Sequence, residues 1–171
     1  MARTVDPEHQ LASFLAKYTP AIAAHAEAIR NHMRKLYPTA LELVYDNYNA
    51  LAIGYCPTEK TSEAIFSIAL YPNWVSLFFL QARGLPDPDK VLKGSGSVVK
   101  HLVIESLETL QDPAVRALMH EAVTRAKVPF PNQGEHRLII KSVSARQRPR
   151  RPATKAATKP AATQRASSKL H

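Results

Sequence analysis

The stretch "AIFSIALYPNWVSLFFL", Ala64 to Leu80, decides how this chain folds. Two runs of apolar and aromatic residues, Ala64–Tyr71 and Trp74–Gln81, flank Pro72-Asn73, and the arrangement reads as a β-hairpin with its turn at that dipeptide. The same dipeptide rules out a membrane helix, which needs ~20 uninterrupted, mainly apolar residues. Outward from the hairpin, Leu41–Tyr48 and Leu51–Cys56 are strand candidates joined by Asn and Tyr, Val98–Glu105 is a fifth strand, and Leu138–Val143 is a final one. The short connections among the first four of these force antiparallel neighbours, because a parallel crossover consumes about a dozen residues or more.

Helices frame these strands. Asp6-Pro7 and Asp112-Pro113 pair a capping residue with proline at the first helical position, and Pro20 opens another helix. Leu11, Phe14 and Leu15 share one face of the first helix; Ile22, Ile29, Met33 and Leu36 recur at helical spacing in the second, which Pro38 ends. A last helix runs to about Lys127 with Val115, Leu118, Met119, Ala122 and Val123 inward. The expected fold is α+β: N-terminal helices, an antiparallel sheet of about five to six strands, and a C-terminal helix packed on it. The hairpin strands are largely apolar on both alternating faces: Phe66, Ile68 and Leu70 against Ile65, Ala69 and Tyr71; Trp74, Phe78 and Leu80 against Val75, Leu77 and Phe79. A sheet with one wet face alternates more cleanly, so the second face is expected to be covered by the domain's own helices, ahead of a subunit or a ligand.

Charge divides the chain. It carries 23 Lys and Arg against 14 Asp and Glu, a formal +9. Nine of the cations and none of the acids lie in residues 141–171, so residues 1–140 balance. From Arg146 onward the chain is rich in Ala, Pro, Thr, Ser, Lys and Arg, with Leu170 the sole large apolar residue, too little to offset about 1–2 kcal/mol of backbone ordering per residue. Residues 1–145 are therefore expected to form the domain and 146–171 a disordered basic tail. Its cations Arg146, Arg148, Arg150, Arg151, Lys155, Lys159, Arg165 and Lys169 would bind nucleic acid weakly, without sequence preference and with strong salt sensitivity. Cys56 is the lone cysteine, and the first ten residues lack the apolar core of a signal peptide; both fit a cytoplasmic protein without a membrane partner.

No catalytic motif emerges. His120-Glu121 starts an H-E-x-x-H pattern that position 124, a threonine, breaks. The seven histidines show no ligand spacing, and no metal or cofactor is expected. Cys56 reads as small packing rather than as a nucleophile. Lys93-Gly94-Ser95-Gly96-Ser97 fails both the Walker and the dinucleotide patterns and precedes a strand, so a tight turn is favoured over a phosphate grip.

The run Gly84-Leu85-Pro86-Asp87-Pro88, then Leu92-Lys93-Gly94-Ser95-Gly96, then Lys100-His101 and a closing helix resembles the YdhG-like domain of unknown function, and so does Ile139–Pro152. The likeness is carried by Leu77 to Val123 and covers most of residues 8–150. Ser97 departs from it where members often have Lys. The resemblance implies an α+β fold on an antiparallel sheet and no particular reaction. Some relatives are labelled iron chaperones by similarity to frataxin, whose iron binding uses an acidic ridge on the first helix; here that region offers only Asp6, Glu8 and then Glu27, which argues against iron. The functional expectation is a small binding module rather than an enzyme, with a small-molecule or protein partner and room for self-association. Tyr45, Asn47 and Trp74 would line its groove; Gly94, Ser95, Gly96, Lys100 and His101 would hold an anionic group. Nucleic-acid association through the tail is the alternative.

Overall fold

In the computed structural model, which describes residues 3–153, proline sets the start of three helices. Pro7, Pro20 and Pro113 open α1 (Pro7–Leu15), α2 (Pro20–Leu36) and α4 (Pro113–Thr124), positions whose N–H would lack an intrahelical partner anyway. The Thr19 hydroxyl accepts from the Ile22 N–H at 3.4 Å and the Asp112 carboxylate from the Ala114 N–H at 2.9 Å, whereas the Asp6 side chain makes no such bond. A short α3 (Leu107–Gln111), not foreseen, precedes α4.

The strands are β1 (Leu41–Asp46), β2 (Leu51–Cys56), β3 (Phe66–Leu70), β4 (Val75–Phe79), β5 (Lys100–Ile104) and β6 (Leu138–Val143), in the spatial order β5-β4-β3-β2-β1-β6. The first five form an antiparallel meander, as the short connections from β1 to β4 require; β5 joins it after the longer segment that follows β4. β6 instead pairs parallel with β1, with a register shift between Val44 and Tyr45. It reaches β1 only after the chain has passed through β2–β5, α3 and α4, a crossover long enough for a parallel pair. The sheet is therefore mixed, mostly antiparallel.

Register resolves the two faces. On one face Val44, Ile53, Ile68, Leu77 and Leu102 form a row across five strands, bordered by Asp46-Leu51-Leu70-Val75-Ile104 and by Glu42-Tyr55-Phe66-Phe79-Lys100. Leu11, Phe14 and Leu15 of α1, Ala26, Ile29 and Met33 of α2, and Val115, Leu118, Met119 and Ala122 of α4 pack with this face into the main core. The opposite face reads Tyr45-Ala52-Ala69-Ser76-Val103 and Leu43-Gly54-Ser67-Phe78-His101. Among the described residues none of the α-helices packs there. The expectation that the domain's own helices cover it is thus overturned. The reason is size: Ala52, Gly54, Ser67, Ala69 and Ser76 offer a helix little apolar area to bury. Only a small cluster, Leu41, Leu43, Cys56 and Ala64 with Tyr45, Leu80 and Ile139, gathers at its β1–β6 side.

Two carboxylates of β1 point into the helix-covered side. Glu42, 0% exposed, accepts from Arg30 Nε and Nη2, both at 3.0 Å, from Arg34 Nε at 2.9 Å, from the Tyr55 hydroxyl at 3.0 Å and from His136 Nε2 at 2.6 Å. Glu8 of α1 pairs with both arginines. Burial pushes the Glu42 carboxyl up, but the bonds from His136 and Arg30 and the charges of Arg30 and Arg34 outweigh it, bringing its pKa to about 2. Asp46, also buried, receives Lys17 Nζ at 3.0 Å and Arg150 Nη2 at 2.8 Å.

That second pair revises the domain boundary. Arg150 is 5% exposed; its guanidinium also donates to the carbonyls of Asn47 and Tyr48 and lies 5.8 Å from the centroid of the Tyr18 ring. Arg151 donates to the carbonyls of Ala16 and Lys17 near the end of α1, and the Arg148 N–H bonds the Tyr48 carbonyl. Residues 146–151 are consequently part of the folded body, not of a disordered tail. Their hydrophobicity is low, but a buried carboxylate partner replaces the missing apolar area. Lys155, Lys159, Arg165 and Lys169 lie outside the described residues.

Two outcomes follow for stability. Because the folded pKa of Glu42 lies below its ordinary 4.5, its contribution is complete above that value and is lost as pH falls toward about 2. The stability gap between the wild type and Glu42→Gln, about 3–5 kcal/mol in urea titrations near neutral pH, should shrink by an amount on the order of 3 kcal/mol over that window. Arg150→Ala should lower the unfolding free energy read from urea titrations by about 3 kcal/mol, because it strips a buried carboxylate of a charged partner.

Candidate functional site: the helix-free sheet face

The face left bare by the helices is concave where its side chains are smallest. Ala52, Ser67 and Ala69 floor a depression of about 610 Å³ walled by Tyr48, Tyr71, Phe78 and Leu80. Gly54, Cys56 and Ala64 continue the floor into a second, about 240 Å³, beside Tyr45 and Thr61. Asn47 borders both. The Tyr45 hydroxyl is hydrogen-bonded to that of Thr61, which ties the ring to the single 3₁₀ turn Thr61–Glu63 and makes the turn a wall.

Leu80 also lines a third depression of about 320 Å³, whose other members include Arg83, Arg125, Lys127, Gln81 and Ser62. Three exposed cations thus stand at the end of the apolar floor. Arg125 donates to the Gly84 carbonyl, Gly84 having a φ of +77° that suits glycine in this turn. The Gln81 side chain accepts from the Lys127 N–H at 3.1 Å and donates to the Ala64 carbonyl at 3.1 Å, joining the segment after α4 to the floor. No carboxylate residue lines any of the three depressions.

The residues singled out from the sequence divide among different places. Tyr45 and Asn47 stand on the bare face. His101 joins them there, its ring stacked on Phe78 with centroids 5.1 Å apart. Gly94 lies against the His101 ring: a Cβ at that position would approach Nδ1 to 3.5 Å, and its φ of +118° disfavours a side chain. Lys93 and His101 exchange backbone bonds of 2.8 and 2.9 Å, so the Gly94–Val99 segment is a turn leading into β5, with Ser95 and Gly96 exposed on it. Lys100 falls in the row of Phe79 and Phe66, the opposite face from His101, and its ammonium donates to the Gly94 carbonyl at 2.6 Å. Trp74, 43% exposed, stacks on Tyr71 and borders a separate depression with His25 and Ile104. The expected single groove, with Trp74 beside an anion held by the glycine turn and Lys100, is not assembled. β alternation sends Lys100 and His101 to opposite sides, and the hairpin turn carries Trp74 toward α2.

The floor residues Ala52, Gly54, Ser67 and Ala69, the wall residue Phe78, and the cations Arg83, Arg125 and Lys127 are not among the site residues expected from the sequence. The floor had a signal: small residues at every second position of β2 and β3. The cations had none, since they come together only through the Leu80–Gly84 and Arg125–Lys127 segments.

Acid–base and metal chemistry find little here. Burial pushes the Cys56 thiol up to about 12, far from a nucleophilic thiolate at neutral pH. Glu8 and Glu27 are engaged by Arg30 and Arg34. Among the described residues no three His, Cys, Asp or Glu side chains are grouped to hold a metal ion, and no helix is long and apolar enough to cross a membrane. No family model, curated protein or solved structure matches the chain.

Proposed function

We propose that this protein is a binding module that receives, on the bare sheet face, a ligand combining a planar ring with an anionic group. The observation that carries this reading is the continuity, through Leu80, of a floor of small residues with the Arg83, Arg125 and Lys127 cluster. The Ala52–Ser67–Ala69 floor gives a flat ring close approach to the backbone, Tyr48 and Phe78 give it aromatic neighbours, and the cations give a negative group its counter-charge. The acid-free lining favours an anion over a cation. The likeness of Leu77–Val123 to YdhG-like domains belongs to the same reading, since it implies no reaction. Transport of iron finds no support in the charge of this face.

Thermal unfolding of the full chain with a panel of mononucleotides and aromatic carboxylates tests the reading. Ser67→Trp fills the floor from a half-buried position that faces away from the main core. A compound that binds the native face should add about 3 kcal/mol of stability at a hundredfold excess over its Kd in the wild type and nothing in Ser67→Trp. Equal protection of both proteins would place binding elsewhere and end the reading.

A further inference from the structure

We infer that the occupant of this face is single-stranded nucleic acid, laid from the Tyr48 turn to the Arg83–Arg125–Lys127 corner. The inference rests on the binding reading above and deepens it. Its first support is cationic groups at both ends of the floor. At one end the Arg148 guanidinium lies 5.7 Å from the centroid of the Tyr48 ring, and Tyr48 is 49% exposed. At the other, past the end of β4, stand Arg83, Arg125 and Lys127. β4 alone is five residues long, about 17 Å of extended chain. One phosphate group cannot meet cations at both ends, whereas a polymer with a phosphate at every residue does.

The second support is the spacing of rings and small side chains between those ends. Tyr48, Tyr71 and Phe78 stand around the small side chains of Ala52, Ser67 and Ala69, which sets aromatic rings beside a floor of little bulk. Base–aromatic stacking tolerates any sequence. Duplex DNA or RNA presents no free base faces to such rings, so the face selects single strands. The third support is where the described chain ends. Arg148 and Arg150 are anchored at the Tyr48 turn, and four further cations with no acid, Lys155, Lys159, Arg165 and Lys169, follow in the sequence.

Fluorescence anisotropy of a labelled oligouridylate of about ten nucleotides with the full chain tests this. Tyr48→Ala and Ser67→Trp should each weaken binding at least about tenfold while leaving the salt dependence unchanged. The triple variant Arg83→Ala/Arg125→Ala/Lys127→Ala should make the slope of log affinity against log salt shallower by about 2, at roughly 0.7 per phosphate contact. A duplex of the same length should bind more weakly than the single strand and should be indifferent to Tyr48→Ala. Oligonucleotide affinity equal in all these proteins would assign binding to the C-terminal sequence alone and overturn the inference. Protection by a mononucleotide or aromatic carboxylate that Ser67→Trp abolishes, with no oligonucleotide binding, would overturn it too while leaving the binding reading intact.

Discussion

A carboxylate without access to water, Glu42, receives five donors from four residues of three different parts of the chain. Arg30 and Arg34 come from α2, Tyr55 from the neighbouring strand and His136 from the segment that leads into β6. Each group is costly to bury alone and tolerable only with its partners, so the cluster makes the placement of α2, β1 and β6 mutually dependent. Glu8 adds α1 to the same set. Directed bonds between paired charges thus fix α1 and α2 against β1 alongside the surrounding Leu and Ile contacts.

The helical layer in turn decides what the other face is free to do. With α1, α2 and α4 on one side, the main core is complete without help from Ala52, Gly54, Ser67, Ala69 or Ser76. Those positions carry no large side chain that must be hidden. The main core is thereby carried by one face of the strands, which lets the residues of the other face change without dismantling it. Polarity follows the same division: the buried carboxylates Glu42 and Asp46 point toward the helices, and the bare side is left to rings, small residues and cations.

What was legible in the sequence was local. Pro7, Pro20 and Pro113 announced three helix starts, Pro72-Asn73 announced the hairpin, and β6 was bounded at Leu138 and Val143, because a fixed φ or an alternation over a few residues determines each. What depended on partners far along the chain was not. Arg150 looked like one more cation of a polar tail because its partner, Asp46, lies over a hundred positions away. Lys100 and His101 looked like one functional unit because adjacency in sequence was read without the alternation that separates them. The bare face was hidden for a related reason: an apolar pattern does not show size, and Ala69 offers a covering helix far less area than Ile68 does.

The parallel seating of β6 against β1 has a consequence for biosynthesis. β1 is an inner strand of the finished sheet, yet its outer neighbour is the last strand of the order. On the ribosome the meander from β1 to β5 emerges first and leaves the Leu41–Asp46 edge with unpaired backbone groups, the kind of edge that recruits other chains. Until the final strand arrives that edge stays open, and Glu42 is held by Arg30, Arg34 and Tyr55, all of which precede β3, while His136 completes its set only with β6.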